Sequence, residues 1–176
     1  MKRFVLAAAM ISAATPVLAM NLSSSDVKDG AVFDTKFVCA KFNGTSVSPQ
    51  LSWSGVPTSA KSLAVTMFDP DAGTKGFWHW LVADIPTSAT GLPTGAGSEG
   101  GALPAGATPL PNGAGKAAYA GPCPPTGTGP HHYQITLYAL PDAKVEIPSG
   151  MKAPDIGALL DQVAIEKVRI TPVFGK

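Results

Sequence analysis

The chain has 176 residues, is 45% hydrophobic and 14% charged, and carries a formal net charge of +1. That length suits one globular domain, and the apolar content excludes a mostly disordered chain. With 19 Gly and 17 Pro and so little charge, the composition indicates a loop-rich, mainly β protein.

The chain starts with Met1-Lys2-Arg3, followed by an apolar run over residues 4–14 that is too short to span a bilayer as a mature helix. Val17-Leu18-Ala19 supplies small residues at the spacing a signal peptidase needs. Residues 1–19 are therefore expected to be a secretory signal removed on export, leaving residues 20–176 as a single periplasmic or secreted domain. A retained membrane anchor is the alternative. Loss of Lys2 and Arg3 leaves 11 basic and 12 acidic residues, a formal net charge of −1. No basic tract survives, so nucleic acid is not an expected partner. No later segment approaches the roughly 18 apolar residues of a transmembrane helix.

Residues 22–29 are polar and suit an irregular arm or an edge segment. Residues 33–42 alternate imperfectly, with Phe33, Thr35 and Phe37 on one side and Asp34 and Lys36 on the other, which predicts a half-buried strand. Asn43-Gly44 is a turn signal, and Ser48-Pro49-Gln50-Leu51-Ser52-Trp53 reads as a short extended piece. Residues 62–68, Ser-Leu-Ala-Val-Thr-Met-Phe, fit a strand buried on both faces that delivers the chain to Asp69. A loop over residues 71–76 leads to a strand over residues 77–85, stopped by Pro86.

Residues 91–125 contain nine Gly, seven Pro and a single acid, Glu99. The flanking pieces are each too small for a core of their own, so this stretch reads as a loop wrapped over the surface rather than a linker. Residues 133–140 form another strong strand. Ile156, Leu159, Leu160 and Val163 fall at helical spacing behind Asp155, which predicts a helix over residues 154–163. Residues 164–174 alternate loosely enough for a final strand. Short strands, turn-rich connections and one helix point to an antiparallel β-sandwich, Greek-key-like, with one or two short helices and a long Gly/Pro-rich loop that carries the chain between sheets.

Two stretches concentrate the chemistry. In Asp69-Pro70-Asp71 two carboxylates flank a stiff corner, and a buried Asp needs a partner, for which an imidazole is suited. All three histidines fall in Trp78-His79-Trp80 and His131-His132. On a regular strand His79 would face away from both tryptophans, and His131 and Tyr133 would share one face, with His132 and Gln134 on the other. An Asp69 carboxylate accepting from His79 or His131 would fix the ring tautomer and favour a proton on it, giving an anion site without Lys or Arg. Gly127-Thr128-Gly129-Pro130 offers backbone N–H groups as a concave nest. The bland readings are turn aspartates, a satisfied core histidine and an ordinary Gly-rich turn.

Enzyme signatures are sparse. No Gly-x-Ser-x-Gly elbow occurs, since Ser52-Trp53-Ser54-Gly55 lacks the first glycine. Metal binding would draw on His79, His131 and an Asp, but no Cys-x-x-Cys or His-x-x-x-His spacing exists, and no metal or cofactor is expected. Cys39 and Cys123 permit one disulfide in an exported protein, and two buried thiols otherwise. A bridge would pin the Pro-rich loop to the segment near Cys39.

Three stretches carry a family resemblance: Ser48 to Trp53; Asp69-Pro70-Asp71-Ala72 with Trp78-His79-Trp80; and Gly121-Pro122-Cys123-Pro124-Pro125 with Gly127-Thr128-Gly129-Pro130-His131-His132-Tyr133. The chain resembles the phosphatidylethanolamine-binding protein (PEBP) family, also called the Raf kinase inhibitor protein family, in its bacterial exported branch. The resemblance implies a β-sandwich with a shallow pocket for phosphate-like or carboxylate anions. It places Asp69, His79, Pro125, His131 and Tyr133 at pocket positions with Asp71 nearby. It also shows departures: Gly73 stands where the family usually has Pro, His132 where it usually has Arg, and no counterpart of the animal C-terminal helix follows Phe174. Kinase inhibition is not expected of an exported chain. The function expected is binding of a small anionic ligand without established catalysis. Inhibition of a protein partner such as a protease, through the 91–125 loop, is one alternative and weak hydrolysis another. Association with a second copy of the chain stays open.

Overall fold

The computed structural model describes residues 19–175, so the expected signal lies outside the described residues but for Ala19. Its centre is the most apolar run of the chain. Of Ser62–Asp69, all but Phe68 are buried, because this strand has a hydrogen-bonded neighbour on each edge and apolar layers on both faces.

The strands in chain order are β1 (Asn21–Ser23), β2 (Leu51–Ser54), β3 (Ser62–Asp69), β4 (Phe77–Pro86), β5 (Gly91–Leu92), β6 (Thr108–Pro109), β7 (His131–His132), β8 (Gln134–Leu140), β9 (Glu166–Ile170) and β10 (Val173–Phe174), with the helix α1 (Ala153–Val163) before β9. A five-stranded sheet has the order β6-β4-β3-β8-β9, a three-stranded sheet the order β1-β2-β5, and β10 pairs with β7. All these pairings are antiparallel. Leu63, Val65 and Met67 face one core together with Leu22, Leu51, Trp53 and Leu92 from the smaller sheet. Ala64 faces a second core closed by Ile156 and Leu160 of α1. The result is a mainly β, antiparallel architecture in which two sheets enclose the principal core and one helix covers the outer face of the larger sheet. Burying one Leu or Ile completely is worth roughly 1.5–3 kcal/mol, so strand β3 anchors both layers.

The expected strand over residues 33–42 is instead two 3-10 turns, Thr35–Phe37 and Ala40–Phe42. Asp34 Oδ1 accepts from Lys36 N at 2.9 Å and starts the first turn, as short acidic side chains do at helix N-termini. Asn43, with φ of 59°, stops the second in the left-handed region. The buried rings Phe33 and Phe37 are thus four residues apart on a turn rather than alternating along a strand. The expected final strand over residues 164–174 divides into β9 and β10. Pro172 has no N–H to donate, although its carbonyl still accepts from Tyr133 N at 2.9 Å. The facing strand is interrupted at the same place, between β7 and β8.

The 91–125 segment does cross between sheets, contributing β5 to one and β6 to the other. Gly97 N donates to Ser48 Oγ at 2.8 Å. Asn112 Oδ1 accepts from Ala114 N and Lys116 N while its Nδ2 donates to the Ala118 carbonyl. These bonds tie the loop down. No helix among the described residues is long and apolar enough to cross a membrane.

Candidate functional site

Strand β4 carries the feature that shapes the site. Met67 pairs with Trp80 and Phe68 with Trp78, so three residues of β4 oppose two of β3 and His79 is the extra one. This is a β-bulge, which turns a side chain out of simple alternation. The two tryptophans consequently part company, contrary to the expectation that both face away from His79. Trp80 packs in the principal core, edge-on to Tyr119 at 5.8 Å between ring centres. Trp78 packs on Phe68 at 4.6 Å, on the helix side. His79 is aimed at Tyr133, 5.2 Å between ring centres.

Asp69, at the end of β3, is 2% exposed. Its Oδ2 lies 2.7 Å from His131 Nδ1 and 4.0 Å from His79 Nε2. Its Oδ1 accepts from Asp71 N at 2.9 Å, closing the turn over Pro70. The buried carboxylate is thus partnered on both oxygens, as burial demands. Asp69 and His131 come from segments 62 residues apart, brought together because β3 and β8 pair directly.

His79 donates from Nδ1 to the Ala120 carbonyl at 2.8 Å. That contact leaves Nε2 as its open nitrogen. Burial pushes its pKa below the usual 6.5, against the upward pulls of the Ala120 carbonyl and the Asp69 carboxylate. A proton therefore adds to His79 less readily than the sequence reading expects, and the ring rests neutral. Tyr133 is fully buried, edge-on to Phe33 and stacked beside His131. Burial, reinforced by the charges of Asp69 and Asp71, pushes its pKa well up. The hydroxyl stays protonated and has no hydrogen-bond partner among the described residues.

A cavity of about 430 Å³ opens here, and its lining includes Asp69, Ala72, Phe77, His79, Pro125 and His131. Cys39 and Cys123, joined in a disulfide with Cα atoms 5.4 Å apart, form part of its wall. Of the six expected ligand residues, Asp69, His79, Pro125 and His131 line the cavity, and Tyr133 supports the two imidazoles from behind. Asp71 turns outward. Its Oδ2 accepts from both N and Nδ1 of His132, at 2.8 and 2.9 Å, and these bonds hold its pKa below the usual value. Sequence reasoning missed the Ala120 carbonyl, which has no side-chain signature, and the Thr128 hydroxyl, 2.9 Å from His131 Nε2. Thr128 stands three residues before His131 in a turn, and that spacing was the available signal.

A larger cleft of about 890 Å³ lies between Asp84, the loop after β6 and the segment before α1. Its one buried-side carboxylate, Asp84, is already satisfied by Thr108 Oγ1 and Val145 N, each at 2.9 Å. The smaller cavity is lined by His79, with the unpartnered Tyr133 hydroxyl buried beside that ring rather than in the lining itself. Among the described residues no group of three or more His, Cys, Asp or Glu is arranged to hold a metal ion.

The profile of the family described as phosphatidylethanolamine-binding protein matches residues 23–175. The UPF0098 protein YbcL of Escherichia coli K12 is 39% identical over 170 residues, covering 94% of this chain and 93% of its own. The crystal structure of E. coli YbcL, described as a new member of the mammalian PEBP family, superposes with a TM-score of 0.84 at 40% identity, over 90% of this chain and 99% of that one. A Mycobacterium tuberculosis H37Rv relative named as a candidate lipoprotein, LppC, is 37% identical over 171 residues, covering 95% of this chain and 79% of its own.

Proposed function

The chain belongs to the phosphatidylethanolamine-binding protein family, and from that premise we propose that it binds a small phosphate- or carboxylate-bearing acid in the hollow between Asp69, His79, His131 and Tyr133. The observation that carries this reading is the buried Tyr133 hydroxyl, which stands beside the cavity-lining His79 and has no hydrogen-bond partner among the described residues. Leaving such a group unsatisfied costs roughly 1–3 kcal/mol, and an incoming oxygen acceptor removes that cost. His79 Nε2 is the second open position. A lone pair there repels a bare anion, so the ligand either brings its own proton or is bound together with one taken up by the ring. The apolar wall of Phe77, Ala72 and Pro125 suits the remainder of a small acid and keeps water away from the polar end.

The protein is proposed to work in the periplasm or outside the cell. A basic start followed by an apolar run, a disulfide that needs an oxidising compartment, and a relative named as a candidate lipoprotein support this. No turnover is assigned to the bound acid. The test is titration of the mature protein with phosphate, phosphoethanolamine and acetate, observed through histidine NMR signals. Movement of the His79 signals at millimolar ligand is expected. Histidine signals that stay fixed for all three acids would refute the proposal.

A further inference from the structure

One hydroxyl beside the pocket has no part in anion binding. Thr128 is exposed, and its Oγ1 lies 2.9 Å from His131 Nε2. The other ring nitrogen, Nδ1, is 2.7 Å from the buried Asp69 carboxylate, which is itself held by Asp71 N. The order of contacts is hydroxyl, imidazole, carboxylate. A carboxylate against Nδ1 fixes a proton there and turns the Nε2 lone pair toward the hydroxyl. A hydroxyl is a weak nucleophile until a base within hydrogen-bond reach takes its proton, and that base is most effective when a third group orients it. His131 and Asp69 meet both conditions.

The Pro125 carbonyl, 2.8 Å from Thr128 Oγ1, competes for the same hydroxyl proton. Of the two acceptors the neutral imidazole nitrogen is the stronger base, so the hydroxyl turns toward His131 whenever Nε2 is free of a proton. Access is open as well, because Thr128 is exposed at the surface.

We infer that Thr128 is a nucleophile toward small activated acyl esters, with His131 as its general base and Asp69 as the group that orients the base. Oγ1 attacks the ester carbonyl carbon and forms the new C–O bond while its proton passes to His131 Nε2. Collapse of the adduct breaks the bond to the alcohol, which leaves with the proton from His131. The products are an O-acyl Thr128 and the free alcohol, and no oxidant or cofactor enters the balance. The inference does not depend on the anion reading, which uses His79 and Tyr133 rather than the outer nitrogen of His131.

The mature protein is mixed with p-nitrophenyl acetate, and p-nitrophenolate release and peptide mass spectra are recorded. A stoichiometric burst is expected, with the acetyl group on Thr128. Thr128→Val abolishes the burst, Thr128→Ser retains it, and His131→Gln slows it by roughly 10²–10⁴-fold, the usual worth of a positioned base. Circular dichroism establishes that each variant is folded, and because Thr128 is exposed the Val and Ser variants decide the matter even if His131→Gln does not fold. Histidine shifts on adding sulfate are read on the same samples, so acylation and anion binding are scored apart. No burst, a burst that survives in Thr128→Val, or an acetyl group on a lysine or on His79 in place of Thr128 overturns the inference.

Discussion

Asp69 and His131 stand 62 residues apart in the chain and 2.7 Å apart in space, with each side chain only 3% exposed. The bond between them joins the two stretches in which the chain concentrates its acids and imidazoles. It is made just beyond the paired ends of β3 and β8, with Asp69 closing β3 and His131 held in β7 against β10, so both side chains are set by strand pairing.

Removing one partner of such a contact leaves the other buried and uncompensated, which in comparable pairs costs roughly 3–5 kcal/mol. His131→Ala is therefore expected to be destabilised by about that amount in urea denaturation. Asp69→Asn, which keeps the shape and can still accept from Asp71 N, is expected to lose less. Equal losses in the two variants would mean that packing, not the stranded carboxylate, sets the cost.

The Cys39–Cys123 bridge spans 84 residues. In the chain-entropy view, a cross-link closing a loop of that length is worth about 4–5 kcal/mol. The two segments also hold each other without it, through Cys39 N to the Pro122 carbonyl at 3.0 Å and the Tyr119 hydroxyl to the Phe37 carbonyl at 3.0 Å. Cys39→Ser/Cys123→Ser is accordingly expected to remain folded at 25 °C with a lower urea midpoint. A double variant that is unfolded without denaturant would contradict this.

Asp71 and His132 form the outward pair, with side chains 40% and 55% exposed. Contacts this open are worth about 0–1 kcal/mol. The His132 side chain and backbone lower the Asp71 pKa from 3.8. Their contribution is complete above that value and is lost as pH falls through the lower folded value. Wild type and Asp71→Asn should thus differ slightly in stability at neutral pH and converge in strong acid. A gap that widens on acidification would reverse the sign.

Strands β3 and β4, the helix α1 and the convergence of Asp69 with His131 were legible because long apolar runs and helical spacing survive tertiary packing. The bulge at His79 was not, since Trp78-His79-Trp80 alternates perfectly on paper. Only the register against β3 reveals that Met67 meets Trp80 while Phe68 meets Trp78. The 3-10 turns at residues 35–42 were hidden similarly, because Asp34 and Asn43 act as caps only once their backbones take cap geometry. Backbone partners such as the Ala120 carbonyl leave no trace in residue identity.

Gly97 tests whether the 91–125 segment is a packed part of the core. A Cβ built there would lie 2.3 Å from the Trp80 ring, and Trp80 is 1% exposed with no room to retreat. Overpacking of this kind costs typically 1–3 kcal/mol. Gly97→Ala is expected to fall in that range by urea denaturation, whereas a loop lying loosely on the surface would absorb the methyl group without loss.

The pH dependence of anion binding follows from His79. Its Nδ1 proton is committed to the Ala120 carbonyl, so protonation occurs at Nε2, on the cavity side. In the free protein burial lowers the pKa from 6.5. A bound anion favours the charged ring and raises it again. The complex then holds more protons than the free protein, so affinity must rise as pH falls, by at most about tenfold per pH unit for one proton. The rise flattens once the pH drops below the lowered value of the free protein, where His79 is already charged before binding. Sulfate is the suitable probe because its own charge is constant over this range. Calorimetric titrations at successive pH values from neutrality downward should show the slope in wild type and lose it in His79→Gln. A sulfate affinity that does not change with pH would remove His79 from the anion's coordination.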